Sequence, residues 1–556
     1  MKSKCSVILI SLFLIVCSCS LVKNNDAEEY RYIIEYGKTW GFLKYYHPNV
    51  AKGDINWDSV FIAQMQRIKT INNDTEYNSE IIEILKTAGK SDYYSDSIMT
   101  FPDSLKINYD FSWLKKSNSL NESNKNDLLY ILNYHKPCEN YYVQKDPVGN
   151  PTFENEKPYS EILPLDENYR LLAFFRYWNI INYYSPYKYV MDEDWAIIPS
   201  KLLGKFITAD NAISYYLSLF ELTAKLNDSH AFAFHPELYS KTIGYYVLPV
   251  GFGYIENKTV VSRIYHDSLA KVNNLKLGDI ILKIENTPVN IIRDSLRKYI
   301  PASNEAVINR NINIYYLESD KEKAYKITIL RDGKELELMV NNYGEFHRVS
   351  IKEQKQKKWD ILENNIGYIN FGKVEITEVD TIMNKLLNTK ALIFDTRYSS
   401  QGTVEQFSNY LHRSETQFLK ALYLDYNYPG IVYFSNNYTT GPDQINNDYY
   451  KGQVIILVNE WTQSHGEYTT MVLQTIPNSI VIGSQTAGAD GDVSRFFLPG
   501  NINITYTGIG IFYPDGTETQ RIGIKPDIVI LPTIESIKNG KDLLMEKAIE
   551  VVNNLK

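Results

Sequence analysis

One stretch of this chain occurs twice. Trp40, Gly41, Phe42, Leu43, Lys44, Tyr45, Tyr46, His47 and Pro48, with Trp57 downstream, are matched by Trp178, Asn179, Ile180, Ile181, Asn182, Tyr183, Tyr184, Ser185 and Pro186, with Trp195 downstream. Every pair is 138 positions apart (178 − 40), and upstream Ile33 and Ile34 correspond to Leu171 and Leu172. These positions recur at helical spacing on one face. The region to about residue 240 is therefore predicted to be largely helical and built from two related units, with the Trp and Tyr stripes as core and not as a ligand box. Pro48 and Pro186 are predicted to stop their helices, because proline lacks the N–H and clashes with the preceding turn. The copies part at one place. The second runs on through Ala224, Lys225, Leu226 and Asn227 to Asp228, Ser229 and His230, a triplet the first lacks.

A length of 556 residues, 44% apolar and 22% charged, suits three to four folded domains and excludes a small binding module or a disordered chain. Tyr occurs 45 times, more than Phe (22) and Trp (7) together, which suggests wide half-buried surfaces and grooves. The formal charge is −8, and no Lys/Arg block tracks a phosphate backbone, so nucleic acid is not an expected partner.

The chain opens with Lys2 and Lys4, an apolar run from Val7 to Val16, and then Cys17, Ser18 and Cys19. That run is too short to span a bilayer and reads as an export leader. Val16 to Cys19 resembles a bacterial lipobox, which implies cleavage after Ser18, a lipid on Cys19, a mature charge of −10 once Lys2 and Lys4 are gone, and an envelope location, on the periplasmic side or at the outer membrane. A plain signal peptide cut nearby is the alternative. Of the four Cys, Cys5, Cys17, Cys19 and Cys138, the mature interior keeps only Cys138, too few for a disulfide framework or a thiolate metal site.

From about Tyr245 short β-branched runs (Thr259 to Val261, Ile280 to Ile284, Tyr325 to Ile329, Leu336 to Val340) predict a small antiparallel module, with a short helix beginning at Ser268. Leu275, Lys276, Leu277, Gly278, Asp279 and the strand after them resemble a PDZ domain. That resemblance implies recognition of an extended peptide by strand addition.

From Ile366 buried strands alternate with helices. Ala391 to Phe394 run into Asp395, Thr396 and Arg397; Val454 to Val458 lead to Ser464, His465, Gly466 and Glu467; Ile480 to Ile482 precede Gly483 and the turn Thr486, Ala487, Gly488. Uniformly apolar strands argue for a sheet covered on both faces, with chemistry at the strands' C-terminal ends. Ser464 stands between such a strand and a helix N-terminus, whose free N–H groups can hold an oxyanion. A serine hydroxyl still needs a base. Asp395 and Arg397 read as a structural ion pair. His465, beside Ser464 on the helix, reads as a pocket wall because neighbouring side chains diverge. His230 and His235 lack a third ligand at metal spacing, so no metal or other cofactor is expected.

These segments, with the tail Pro514, Asp515, Gly516 through Gln520, Arg521, Ile522, Gly523, Ile524, Lys525, Pro526, Asp527 and Ile528, resemble the catalytic core of the C-terminal processing peptidases. That superfamily includes the tricorn protease core and the interphotoreceptor retinoid-binding proteins. The resemblance spans roughly residues 165 to 535 in the order helical part, PDZ, core. It implies Ser464 as nucleophile. The processing-peptidase branch uses a lysine base at the place of Ala489, and no Lys lies between Thr486 and Gly500, whereas Ser229 and His230 match the Ser-His pair of the tricorn-like branch. The resemblance then implies His230 as base, with Ser229 and either Glu518 or Gln520 orienting it, and the N–H groups of His465 and Gly402 as oxyanion donors. Where relatives carry a glycine-rich turn after Arg397, this chain has Tyr398, Ser399, Ser400 and Gln401, leaving Gly402 alone.

The expected fold class is multidomain α+β: a helical N-terminal region, a small PDZ-like β module and an α/β (ClpP/crotonase-like) peptidase core. The expected divisions are a leader at 1–18, a first helical unit at 19–165, a second bearing Ser229 and His230 at 166–242, the PDZ-like domain at 243–345, the core at 346–535 and a terminal helix at 536–556. The expected function is a tail-specific, tricorn-like serine endopeptidase acting on peptides or unfolded chains, meeting the membrane only through its lipid. The alternative is a catalytically inactive peptide- or ligand-binding lipoprotein on the same fold, with an ester or glycan hydrolase as a third reading.

Overall fold

The computed structural model describes residues 26–161, 166–244, 246–320, 322–344, 356–398 and 402–555. The leader with Cys19, and Ser399, Ser400 and Gln401, lie outside them.

The repeated segments form helices α1 (Arg31–Tyr46) and α3 (Glu167–Tyr184), with α2 (Trp57–Ile68) after the first. Helix α1 stops before His47, and Pro48 starts a new turn at a position where its missing N–H costs nothing. Each copy is closed by a reciprocal pair: Trp40 Nε1 donates to Trp57 O and Trp57 Nε1 to Trp40 O, both at 2.9 Å, and Trp178 and Trp195 exchange the same bonds at 2.9 and 3.0 Å. The copies cross as if about a local pseudo-twofold, so that several residues meet their own repeat counterparts, Tyr45 meeting Tyr183 among them. Gly37 lies against Phe175 and Gly41 against Asn179; a Cβ on either glycine would fall 2.2 Å from Phe175 Cδ1 or 2.0 Å from Asn179 Cγ. The absence of a side chain at both lets the helices cross closely.

Tyr45, Tyr46, Tyr183 and Tyr184 fill this crossing edge to face and are 0–2% exposed, as are Tyr36 and Tyr177. The tyrosine excess in this region therefore builds core and not grooves. Buried acceptors satisfy some of the hydroxyls: Tyr36 donates to Gln64 Oε1 at 2.9 Å and Tyr216 to Ala233 O at 2.8 Å, whereas the Tyr184 hydroxyl has no partner among the described residues.

Four charges are buried beside Trp40. Glu156 holds Lys44 Nζ at 2.6 Å and Arg176 Nε at 2.8 Å, while Asp58 holds Arg176 Nη2 at 2.5 Å and faces Lys44 at 3.6 Å.

His47, 3% exposed, is pushed down to about 4 by burial, against the opposing effect of the Gly89 backbone. The unfolded chain takes up this proton near pH 6.5 and the folded one only near 4, so stability is complete above 6.5 and falls as the pH drops toward 4. The expected loss between those values is about 2 to 3 kcal/mol. Urea melts of the wild type and of His47→Gln at pH 7.0, 5.5 and 4.5 check this, the variant losing less over the range.

Helices α4 (Ile198–Thr208) and α5 (Ala212–Ala224) complete the second unit, followed by strand β1 (Phe232–Phe234). The antiparallel module comprises β2 (Val250–Ile255), β3 (Lys258–Ile264), β4 (Ile280–Ile284), β5 (Ala324–Arg331) and β6 (Lys334–Asn341), in the order β6-β5-β4-β3-β2, and helix α6 (Glu305–Ile312) lies in the segment between β4 and β5. Gly278 supplies the turn before β4 with φ +86°, and Asp279 is clamped by Arg331 at 2.6 Å.

The core sheet runs β7 (Trp359–Leu362), β8 (Ile366–Asn370), β9 (Ala391–Asp395), β10 (Gln453–Val458), β11 (Ile480–Gly483) and finally β14 (Ile528–Val529), parallel apart from β7. Helices α7 (Val404–Leu411) and α8 (His465–Gln474) cover one face, meeting Phe394 and Ile456, and α9 (Leu543–Asn553) the other, meeting Ile393 and Ile455. Alternate residues of each strand thus point into different layers, which is why the strands are apolar throughout. Strands β12 (Val493–Leu498) and β13 (Ile502–Thr507) pair with β1 and join the core to the helical region. Among the described residues no helix is long and apolar enough to cross a membrane.

Candidate active site

Ser464 caps the N-terminus of α8, directly after the loop leaving buried strand β10. Its backbone sits at φ 54°, ψ −123°, a conformation that costs an L-residue roughly 1–3 kcal/mol and persists only where the surroundings impose it. Two bonds impose it here. Ser464 N donates to Ala489 O at 2.9 Å, and Glu467 N donates to Ser464 O at 2.8 Å. Glu467, fully buried, accepts from Thr486 Oγ1 at 2.5 Å, Gly488 N at 2.8 Å and Ala489 N at 2.9 Å, fastening the first turn of α8 to the turn after β11. Burial pushes the Glu467 carboxyl up, against these bonds. Beside it Asp490 is also buried, and burial with the Glu467 charge holds its carboxyl well above the usual range, against the opposing effect of the Tyr468 N–H.

His230 lies in the loop between α5 and β1. Asp228 receives Thr507 N at 2.7 Å on one oxygen; the other accepts from Thr507 Oγ1 at 2.8 Å and from His230 N at 3.0 Å. His230 Nδ1 lies 3.0 Å from the same Thr507 Oγ1. A hydroxyl has one hydrogen, and Asp228 receives it, so the imidazole donates from Nδ1 and Nε2 keeps a free lone pair. Burial holds His230 below the ordinary histidine range, against the opposing pull of Asp228 and Asp492. The arrangement is that of a neutral base with its tautomer fixed.

The loops carrying His230 and Ser464 touch one residue upstream of each: Gln463 Nε2 donates to Ser229 O at 3.2 Å. Among the described residues no hydrogen bond links Ser464 Oγ to His230 Nε2; such bonds are often long in unliganded enzymes and tighten with substrate.

Ser229, expected to orient the ring, instead donates to Ala487 O at 3.1 Å and accepts from Ser303 N at 2.9 Å, tying the base loop to the β module. Glu518 accepts from Tyr189 OH and makes no bond to His230, whereas Gln520 Nε2 reaches Asp228 at 3.3 Å. No local pattern in the sequence marks Thr507, and Asp228, beside Ser229 and His230, takes its place only through the contact with Thr507. His465 is the first residue of α8 and its N–H lacks an acceptor among the described residues; its ring stacks on Tyr468 at 5.1 Å, and a Cβ on Gly402, at φ +70°, would lie 3.9 Å from its Nε2. Gly402 therefore lies beside the His465 ring. Arg397 holds Asp395 at 2.8 and 2.9 Å and Asp542 at 2.9 Å, a structural clamp at the end of β9.

A cavity of about 280 Å³ opens against Ser229, His230 and Gln463, walled by Phe220, Phe232 and Tyr239 and bordered by Arg310. Arg310, on the β module, donates to Glu460 O at 2.6 Å and Gln463 Oε1 at 2.9 Å. The loop of His230, the residue before Ser464 and the β module therefore meet at one cavity.

The chain is similar to known proteins over part of its length. The tricorn protease of Thermoplasma volcanium is 21% identical over 281 residues, 50% of this chain and 25% of that protein, so the chain spans about a quarter of this curated relative. Two structures of mature CPAF, one complexed with lactacystin, share the fold with a TM-score of 0.53 at 14% identity, covering 70% of this chain and 98–99% of those. Residues 365–530, which run from the start of β8 past β14 and include Ser464, match the model of Peptidase family S41.

Proposed function

We propose that this protein is a serine peptidase in which Ser464 attacks a peptide carbonyl, His230 takes the Ser464 proton and returns it to the leaving amine, and the N–H groups of His465 and Gly402 hold the oxyanion. The observation that carries the reading is the conformation of Ser464, a non-glycine residue held at φ 54° at a helix N-terminus, facing the loop of an oriented, neutral histidine. The family match and the tricorn relative support peptide-bond hydrolysis. Thr507, Asp228 and Gln520 fix the base; Glu518 stands outside that chain of bonds. The aromatic cavity beside His230 suits a bulky apolar side chain of the substrate. The PDZ-like module presents unfolded chain ends, and lipid on Cys19 holds the protein at the envelope; fatty-acid incorporation lost in Cys19→Ser tests the anchor.

Labelling with a fluorophosphonate probe tests the chemistry. Specific native-state labelling, absent in Ser464→Ala, is expected; a folded protein that stays unlabelled overturns the peptidase reading in favour of a binding protein on this fold.

A further inference from the structure

The pseudo-twofold creates two equivalent spaces, and only one is filled. Beside Trp40 and Trp57 the space holds Lys44, Asp58 and Arg176, and Glu156 enters it from the segment between the repeats, lying 2.6 Å from Lys44 and 2.8 Å from Arg176. Beside Trp178 and Trp195 the counterpart space is a cavity of about 400 Å³. The counterpart of Arg176 is Lys38, that of Asp58 is Ala196, and that of Lys44 is Asn182 (each 138 apart). The cation from the opposite copy has been kept, and both of its carboxylates are gone.

Lys38 Nζ lies 5.3 Å from the Trp178 ring centroid and donates to Ala196 O at 3.4 Å. A second cation joins it: Lys188 Nζ donates to Asn182 O and Oδ1, both at 3.0 Å. No carboxylate of the described residues lies within 4 Å of either ammonium, and burial pushes both down, Lys188 to about 8. The acids on the cavity wall act on the two ammoniums only from beyond contact distance: Asp110 and Asp194 oppose the effect of burial on both lysines without reaching either. Asp110 accepts from Ser112 N at 2.8 Å, Asp194 from Ala196 N at 2.9 Å, and Glu193 pairs with Lys201 and Lys225. The remaining wall mixes the aromatic and apolar Trp113, Tyr189, Met191 and Ile107 with the polar Ser112 and Asn182.

We propose that this cavity is a second binding site, separate from the peptidase site, for a carboxylate carried on an aromatic or apolar body, the carboxylate lying between Lys38 and Lys188 as Glu156 lies between Lys44 and Arg176. A small organic acid and the C-terminal residue of a peptide share that chemistry. The volume suits one such group. The site borders the catalytic region without belonging to it: Tyr189 donates to Glu518, and Arg521 Nη1 reaches Val190 O at 2.6 Å and Asp192 at 2.7 Å.

Calorimetry on the full chain carrying Ser464→Ala, which removes cleavage without touching the cavity, tests this. The probes are N-acetyl-phenylalanine, its amide, and a hexapeptide ending in a free phenylalanine carboxylate. The acid is expected to bind at least about tenfold more tightly than the amide, the factor that one added charge contact of about 1.4 kcal/mol gives. Hexapeptide binding equal to that of the small acid identifies a peptide-tail site; binding of the small acid alone identifies a metabolite site, and both support the proposal. Ala196→Asp, at an exposed position, restores the carboxylate that the other copy carries and is expected to abolish the acid preference, as is Lys38→Met. Equal affinity for acid and amide, or a preference that survives both Ala196→Asp and Lys38→Met in folded protein, overturns it. Because no cleavage is read, failure here leaves the Ser464 chemistry untouched.

Discussion

His230→Ala is expected to lower kcat for peptide hydrolysis about 10⁴- to 10⁶-fold with KM changed little, the range found when the base of a serine nucleophile is removed. The reason lies in the serine, whose hydroxyl must lose its proton as it attacks. Thr507→Val should act on the same step through geometry. It removes the hydroxyl that binds His230 Nδ1 and Asp228 together, freeing the ring to take the wrong tautomer, at a loss of about 10²- to 10⁴-fold in kcat. Thr507→Ser keeps the hydroxyl and should restore most of the activity. A purely structural role for Thr507 would leave Ser and Val variants alike. The pH profile gives a further check: burial holds His230 below the usual histidine range, so the base is already neutral as the pH rises through 6.5, and the acid limb of kcat/KM should fall below that value. Purified His230→Ala protein retaining more than about a tenth of wild-type kcat would sink the assignment, since that is below the contribution of any general base.

The repeat could be read directly because both copies keep the same aromatic residues at the same spacing, and Trp40/Trp57 and Trp178/Trp195 close each copy with the same two bonds. The turn bearing Ser464 was equally visible, since an apolar run into a helix start is a local pattern. Thr507 was not, being 277 positions from His230 and brought to it only by the pairing of β13 with β1. Register between distant strands is set by packing, and no short-range signal carries it. Sequence proximity to the Gly-x-x-Pro-Asp tail gave Glu518 and Gln520 equal standing. The fold separates them: Gln520 is 2% exposed and reaches Asp228, while Glu518 lies at the surface end of the same turn with Tyr189. The tyrosines misled for a related reason. Their hydroxyls suggested wet surfaces, but a buried acceptor such as Gln64 Oε1 or Ala233 O can replace water, and whether one is present depends on tertiary contacts.

Glu156→Gln should destabilise the helical region by about 3 to 5 kcal/mol, the cost of stranding a buried charge. Lys44, Asp58, Glu156 and Arg176 balance two positive charges against two negative ones, and their side chains are 0–7% exposed. Burial alone pushes Asp58 up, yet Arg176 and Lys44 more than offset it and hold its carboxyl below the usual range. Replacing Glu156 leaves Lys44 with only the 3.6 Å contact to Asp58 and the cluster with an excess positive charge. The double variant Glu156→Leu with Lys44→Met removes one charge of each sign, keeps the Arg176–Asp58 pair at 2.5 Å and supplies apolar volume, so it should recover most of the loss. Urea unfolding followed by tryptophan fluorescence measures this locally, because Lys44 Nζ lies 4.8 Å from the Trp40 ring centroid. If the double variant is as unstable as the two single losses added together, the four groups are not coupled and the account fails. Recovery would also bear on catalysis, since Arg176 Nη1 donates to Phe497 O on β12, the neighbour of the strand that carries Thr507. Arg176 stays paired with Asp58 in the double variant, which predicts that kcat recovers together with stability.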